Sequence, residues 1–487
     1  TNALTGITEA AKSRTPLLVL AAETTAEHSN FYVDQPGLAA GVGAHSIRVT
    51  SPDSAAADAA GAYALARDDR RTVVLNLPLE IQSAPAPSDT ERPPASGSGG
   101  QHRSPDSSAS PLPSGQPTTA DVAALVQLLA AAERPVIIAG RGARHAGAEL
   151  ADLGDACGAL LATSAVAKGL FNPNPWSLDV SGGFASPVAA ELIADADVIV
   201  GFGCALNMWT TRHGRLIGTE ATLVQVDLDP GAIGAHRPVE HGIVGDSALT
   251  AAAAAQALWE LPEAPPGYRD HAIQQRLRDE LRWRDLPYDD WGDGVGEQAR
   301  IDPRTLTIAL DDILPHQRIV AVDSGNFMGY PSAYLSVPDE NGFCFTQSFQ
   351  SIGLGLATAV GAALARPDRL PVAALGDGGA LMAAAELDTV RRLGLPMVVV
   401  VYNDDAYGAE VHHFRDGEPL DTVTFPDTDI AAIGAGYGFD AVTVHSLADL
   451  EPVERWVRGP RERPLLIDAK IAAPQGAWWL EEAFRGH

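Results

Sequence analysis

Apolar and polar positions alternate in a way that divides the chain into three stretches of the same rhythm. In residues 1–82, "TPLLVLAA" and "RRTVVLNLP" are short apolar runs that predict strands. Between them "SPDSAAADAAGAYALARD" predicts an amphipathic helix, with Ser51 or Asp53 as its cap. Residues 120–262 repeat the pattern, with strands predicted at "RPVIIAGRGA", "GALLATSAVAKG", "ADVIVGFG" and "ATLVQVDLDP". Residues 301–487 carry four more: "QRIVAVDSG", "PVAALGDGG", "PMVVVVYNDD" and "RPLLIDAKI". Runs that are apolar at every position suit strands buried on both faces of a parallel sheet. The expected fold is α/β, three successive parallel-sheet domains.

Two connections separate the stretches. Residues 83–119, "SAPAPSDTERPPASGSGGQHRSPDSSASPLPSGQPTT", are rich in Pro, Ser and Gly and nearly free of apolar side chains. Such a segment cannot bury enough surface to fold and reads as a disordered linker. Residues 263–300 form a second, partly helical linker.

Composition narrows the function. The formal charge of −28 over 487 residues argues against nucleic acid and anionic membranes, which both call for a basic face. No apolar run approaches the roughly 18 residues of a membrane span. The three cysteines, Cys157, Cys204 and Cys344, are far apart and form no CxxC pair, which points away from zinc sites and disulfide frameworks and towards a reducing cytoplasm.

The candidate chemistry lies in "AALGDGGALMAAAELDTVRRLGLPMVVVVYNDDAYG". A strand ends at Asp377, and Gly376, Gly378 and Gly379 let the backbone approach a ligand closely. A helix is expected from about Ala380 to about Gly394, its first N–H groups facing the same point. The next strand delivers Asn403 and Asp404. Neighbouring parallel strands end at one edge of the sheet, where ligands bind. Two oxygen-bearing side chains and a helix N-terminus there are what a magnesium diphosphate needs, since Mg²⁺ takes carboxylate and phosphate oxygens. A second GDG, in "WGDGVG" at 291–296, follows no strand and reads as a decoy. "IIAGRGARHAG" fails the GxGxxG spacing and gives no dinucleotide fingerprint.

The GDG followed by Asn-Asp resembles the thiamine diphosphate signature of the acetolactate synthase, pyruvate decarboxylase and benzoylformate decarboxylase superfamily. The resemblance covers nearly the whole chain: residues 1–82 as part of the pyrimidine-binding domain, 120–262 as the central domain, and 301–487 as the diphosphate-binding domain. It implies thiamine diphosphate and Mg²⁺, with the metal held by Asp377, Asp404 and the backbone of Ala406. Gly376, Gly378, Gly379, Ala380, Tyr407, Gly408 and, in the first domain, Asn2 become cofactor contacts by the same carry-over. Asp replaces the family's usual Asn at 404, and Asp405 reads as a solvated turn residue. Ile352, in "FQSIGLGLATAVGAALARPDR", falls where the family supports the bent cofactor with a bulky apolar side chain. Asp323, Ser324 and Asn326, in "VDSGNFMGY", either reach the diphosphate or form a plain turn.

Glu410 lies six residues after Asp404, near the expected reactive carbon, where decarboxylases of the family carry a catalytic Glu. Buried there, a carboxylate would have a raised pKa and act as a general acid. His412 and His413 follow, and His413 is the second catalytic candidate. The resemblance implies a 2-oxo acid as small-molecule substrate, decarboxylated and ligated to a second carbonyl as in acetolactate synthases, with simple decarboxylation as the alternative. It implies a homodimer or homotetramer with active sites between subunits. No residue decides FAD binding, and the stretches around "GGFAS" and "ALNMWTTRHG" lean against it. The glutamate that activates thiamine in the family lies before the segment matched by Thr1-Asn2. The expectation is a fragment whose activating glutamate lies upstream; a non-catalytic binding homologue is the alternative. The aromatic tail "QGAWWLEEAFRGH" reads as a lid or as a subunit contact.

Overall fold

A computed structural model describes residues 2–85, 115–414 and 417–480; most of the Pro/Ser/Gly linker lies outside the described residues. The chain divides into two compact units, Thr1–Leu112 with Gln347–Ser351, and Pro113–Thr346 with Ile352–His487.

The first unit is built on a three-stranded parallel sheet of order β1-β3-β2, from β1 (Leu17–Glu23), β2 (His45–Arg48) and β3 (Thr72–Pro78). The predicted helix runs Ala55–Asp68 and starts after Ser54. Ser51 stands in the preceding turn, its hydroxyl accepting from the Ser54 N–H at 3.1 Å, so neither Ser51 nor Asp53 is the cap. From the helix Leu4–Lys12, the buried Glu9 carboxylate accepts the N–H groups of Ser348 (3.0 Å) and Phe349 (2.7 Å). Those bonds tie the 347–351 segment to this unit.

The second unit holds two six-stranded parallel sheets. One, of order β6-β5-β4-β7-β8-β9, consists of β4 (Pro135–Ala139), β5 (Leu160–Thr163), β6 (Ser177–Val180), β7 (Val198–Phe202), β8 (Thr222–Asp227) and β9 (His241–Val244). The other, of order β11-β10-β12-β13-β15-β14, consists of β10 (Arg318–Val322), β11 (Phe343–Phe345), β12 (Leu370–Gly376), β13 (Val398–Asn403), β14 (Asp440–Val444) and β15 (Leu465–Lys470). Every described neighbour pair is parallel.

The uninterrupted apolar runs follow from burial on both faces. In β13, Val398, Val400 and Tyr402 enter one core with Trp456 and Ile467, while Val399 and Val401 enter another with Leu356 and Leu387. Successive strand residues point to opposite faces, so on a strand covered on both sides every side chain is buried, and a polar one such as Asn403 needs a bonded partner.

The aromatic tail is part of this unit's core, as far as Leu480. Trp479 is fully buried, edge-on to Tyr330 at 4.8 Å, and a Cβ at Gly329 would come within 2.3 Å of its ring. Trp478 stacks on Trp283 at 4.4 Å and donates to the Gly183 carbonyl at 2.9 Å. The described part of the tail packs within this unit, between residues that follow β6 and residues that follow β10, and is not a lid. Among the described residues no helix is long and apolar enough to cross a membrane.

Candidate active site

The order of the third sheet places a site at one edge. The chain passes from β10 outward to β11, then returns across β10 to β12. Such a reversal opens a crevice beyond the carboxyl ends of the strands on either side, here β10 and β12. Asp323 follows β10 and Asp377 follows β12. Leu375 pairs with Val401 and Gly376 with Tyr402, so Asp377 and Asn403 stand level at the ends of β12 and β13 and Asp404 comes next. This convergence is the one expected from the sequence.

The local geometry is close. Asp377 is buried; its Oδ1 accepts from the Gly378 N–H (2.9 Å) and its Oδ2 from the Ala406 N–H (3.0 Å). A Cβ on Gly408 would sit 2.3 Å from Asp404 Oδ2, and one on Gly378 would sit 2.4 Å from the Tyr407 ring, which packs edge-on to Phe425 at 4.7 Å. A Cβ on Gly376 would come within 3.1 Å of Phe327. The glycines are thus dictated by close approach of neighbours. The helix begins at Asp377 itself, with Gly376 as its N-cap, and stops at Met382; a second helix runs Glu386–Arg392. One short helix carries little macrodipole, so it offers a phosphate individual N–H groups, from the buried Gly379 and Ala380 among others.

Burial governs the electrostatics. It pushes the Asp377 carboxyl up to about 7, with the charge of Asp405 adding to it. Burial also raises Asp404 well above the usual carboxylate range, reinforced by the charge of Asp377. Asp323 rises to about 6, again through burial, although the N–H groups of Gly353 and Ser324 hold it back. Asp377 is buried and Asp404 half-buried, and two such neighbouring carboxylates are costly without a cation.

The donor set fits Mg²⁺. Among the described residues no group of three or more His, Cys, Asp or Glu could hold a metal. A two-carboxylate set is what Mg²⁺ uses when carbonyl, water and phosphate oxygens complete its octahedron. Ala406 bridges antiparallel to Thr424, and the bonds flanking it run from Tyr407 N–H to the Val423 carbonyl and from Phe425 N–H to the Asp405 carbonyl. That pairing leaves the Ala406 carbonyl available as the third ligand.

Other expected residues stand elsewhere. Asp405 is not solvated: it has a left-handed backbone (φ 55°) and pairs with Arg300. Asn403 is an internal brace, its amide donating to Asp468 at 2.8 Å and its Oδ1 accepting from the Asp405 N–H at 3.1 Å. Asn326 is buried, with Oδ1 accepting from the Ala477 N–H (3.0 Å) and its carbonyl from Trp479 Nε1 (2.9 Å), so it fastens the tail. Asp323 accepts from Gly353 N–H at 2.8 Å and fixes the loop carrying the half-buried Ile352; its neighbour Ser324 is half-buried too. Glu410 lies in the helix Gly408–His413 with an exposed side chain. His412 is half-buried, which lowers its pKa, while His413 is exposed and rests near the Phe414 ring. Asn2, in the first unit, is exposed. Sequence reasoning missed Arg300 and the tail clasp; both depend on contacts over 100 residues apart in the chain, for which no local pattern exists.

Comparison with known proteins agrees with this fold. Residues 122–254 match the central domain of thiamine pyrophosphate enzymes, and residues 323–469 match their C-terminal, thiamine pyrophosphate-binding domain. The chain belongs to the thiamine pyrophosphate enzymes. Relatives include a "probable 2-ketoarginine decarboxylase" of Pseudomonas aeruginosa, 29% identical, the match spanning 94% of this chain and 78% of that protein. A "probable acetolactate synthase large subunit" of Methanococcus aeolicus is 25% identical over 66% of this chain and 55% of its own length. The pyruvate oxidase of Lactiplantibacillus plantarum is 28% identical over 73% of this chain and 58% of its own. Against the last two, the chain spans little more than half of the relative's length.

Proposed function

We propose that the protein decarboxylates a 2-oxo acid with thiamine diphosphate and Mg²⁺. The observation that carries this reading is the Asp377 carboxylate at the end of β12, bonded to the Ala406 N–H, with Asp404 following the neighbouring strand β13. Asp377, Asp404 and Ala406 hold the cation, and the backbone of 378–380 receives the phosphates. Thiamine diphosphate, when bound, supplies a carbon nucleophile and a sink for the electrons left by CO₂. Ile352 gives the cofactor an apolar support. Glu410, six residues after Asp404 and exposed in the single chain, is the group proposed to deliver the proton that releases an aldehyde. The relative matched over 94% of this chain bears a decarboxylase's name, which favours this outcome.

Acetolactate-synthase-like carboligation is the second reading, supported by the synthase relatives and by the overall resemblance. Neither outcome is a net oxidation, and the proposal includes no flavin; the absorbance spectrum of the purified protein tests that point. The active form is proposed to be a homodimer or homotetramer, which light scattering measures.

The test is CO₂ release from pyruvate, benzoylformate and 2-ketoarginine with Mg²⁺ and thiamine diphosphate, with product identification. Aldehyde formation that Glu410→Gln suppresses supports the first reading. Acetolactate supports the second. Cofactor binding without turnover of any substrate points to the non-catalytic homologue.

A further inference from the structure

The second GDG, at 291–296, gains a role from the structure. Its Asp293 exchanges both backbone hydrogen bonds with Arg300, at 3.0 and 2.7 Å. Gly294 and Gly296 take left-handed conformations in the turn between them, and a Cβ on Gly294 would come within 2.6 Å of the Gln298 carbonyl. The next residue, Ile301, bonds to the end of β15: its N–H donates to the Lys470 carbonyl (2.9 Å), and its carbonyl accepts from Ala472 (2.9 Å). Arg300 is therefore fixed on both sides before its side chain does anything.

That side chain reaches the cation turn from outside. Arg300 Nη1 donates to the Asn403 carbonyl at 3.3 Å, and Nη2 pairs with the Asp405 carboxylate. The Asn403 carbonyl also accepts from the Ile471 N–H at 2.9 Å. The guanidinium thus grips the residues on either side of Asp404. Asp405 holds φ at 55°, a conformation that costs any residue with a Cβ, and Ala406 follows directly. A planar fork bonding two acceptors suits this task better than a single ammonium.

We infer that Arg300 is a positioning residue for the divalent-cation turn, holding Asn403–Ala406 so that the Asp404 carboxylate and the Ala406 carbonyl face one point. The inference rests on the assignment of Asp377, Asp404 and Ala406 as ligands. Arg300 lies outside both segments that match the family, between residues 254 and 323. It also neutralises Asp405, which would otherwise stand as a third carboxylate beside Asp377 and Asp404.

The test is Mn²⁺ binding to the full chain, read by electron paramagnetic resonance at saturating thiamine diphosphate. Arg300→Ala is expected to weaken Mn²⁺ binding about tenfold or more. Glycine adopts a positive φ freely and carries no charge, so Arg300→Ala with Asp405→Gly is expected to bind within about threefold of the wild type. Arg300→Lys should fall between. Unfolding temperatures without cation separate positioning from stability: a purely structural role would lower them in Arg300→Ala without rescue of Mn²⁺ binding in the double variant. Binding by Arg300→Ala equal to or tighter than wild type overturns the inference, as does a double variant no better than the single. Should Arg300→Ala fail to fold, Arg300→Lys and its Asp405→Gly double carry the same comparison. A wild type that binds no Mn²⁺ overturns the ligand assignment itself, a result distinct from the others.

Discussion

Replacing Asp404 with Asn restores the residue usual in the family while keeping a side-chain oxygen for the metal. Its effect can be worked from the protonation of the buried pair. Asp377 sits at about 7 and Asp404 above the usual range, both chiefly through burial. Near pH 7 the pair is partly protonated, and its protons belong to the pair rather than to either residue. Cation ligation requires both carboxylates to be ionised, so binding expels those protons. For each pH unit below 7, every proton displaced costs about 1.4 kcal/mol, or tenfold in apparent affinity. In Asp404→Asn one of the two titrating carboxylates is gone while the charge of Asp405 stays near Asp377, so proton release should fall below that of the wild type. The assay is calorimetric titration of Mg²⁺-thiamine diphosphate at pH 7 in Hepes and in Tris. The difference in observed heat, divided by the difference in buffer ionisation enthalpy, counts the protons. Protonation changes of the cofactor itself cancel between the two proteins. Equal proton release by wild type and Asp404→Asn would falsify the placement of the two carboxylates around one cation.

Gly408→Ala puts a methyl group 2.3 Å from Asp404 Oδ2 and should cut cation affinity about tenfold or more with the fold retained, as seen by calorimetry and circular dichroism. Trp479→Ala empties a fully buried site and should destabilise the second unit by about 3–5 kcal/mol in urea denaturation. Asp323 has a folded pKa of about 6 against 3.8 unfolded, so the folded protein binds the extra proton between those values. Its contribution to stability is therefore lost as pH rises from about 4 to 6, up to about 3 kcal/mol, and Asp323→Asn should flatten the stability profile over that window.

Elements buried on both faces were readable from the sequence. β12 is apolar throughout and β13 as far as Tyr402, because these side chains meet packed cores. The short edge strands β2, β6, β9, β11 and β14 went unpredicted. Three to five residues such as His241–Val244, only partly buried, leave no run to detect. The glycine-rich turn and its two aspartates were legible, since close approach and cation binding restrict residue type. The single long helix expected to Gly394 is instead two short ones, broken at Ala383–Ala385. Alanine favours helix throughout that stretch, so local propensity gives no sign of the break. Roles that depend on distant partners were not legible: Asn326 fastening Ala477, and Arg300 holding Asp405.

The most direct measurement is the anomalous-scattering map of crystals grown with Mn²⁺ and thiamine diphosphate. The account predicts one peak per chain at coordination distance from Asp377, Asp404 and the Ala406 carbonyl. A fully occupied peak elsewhere, or cofactor bound with no metal between those residues, would contradict it.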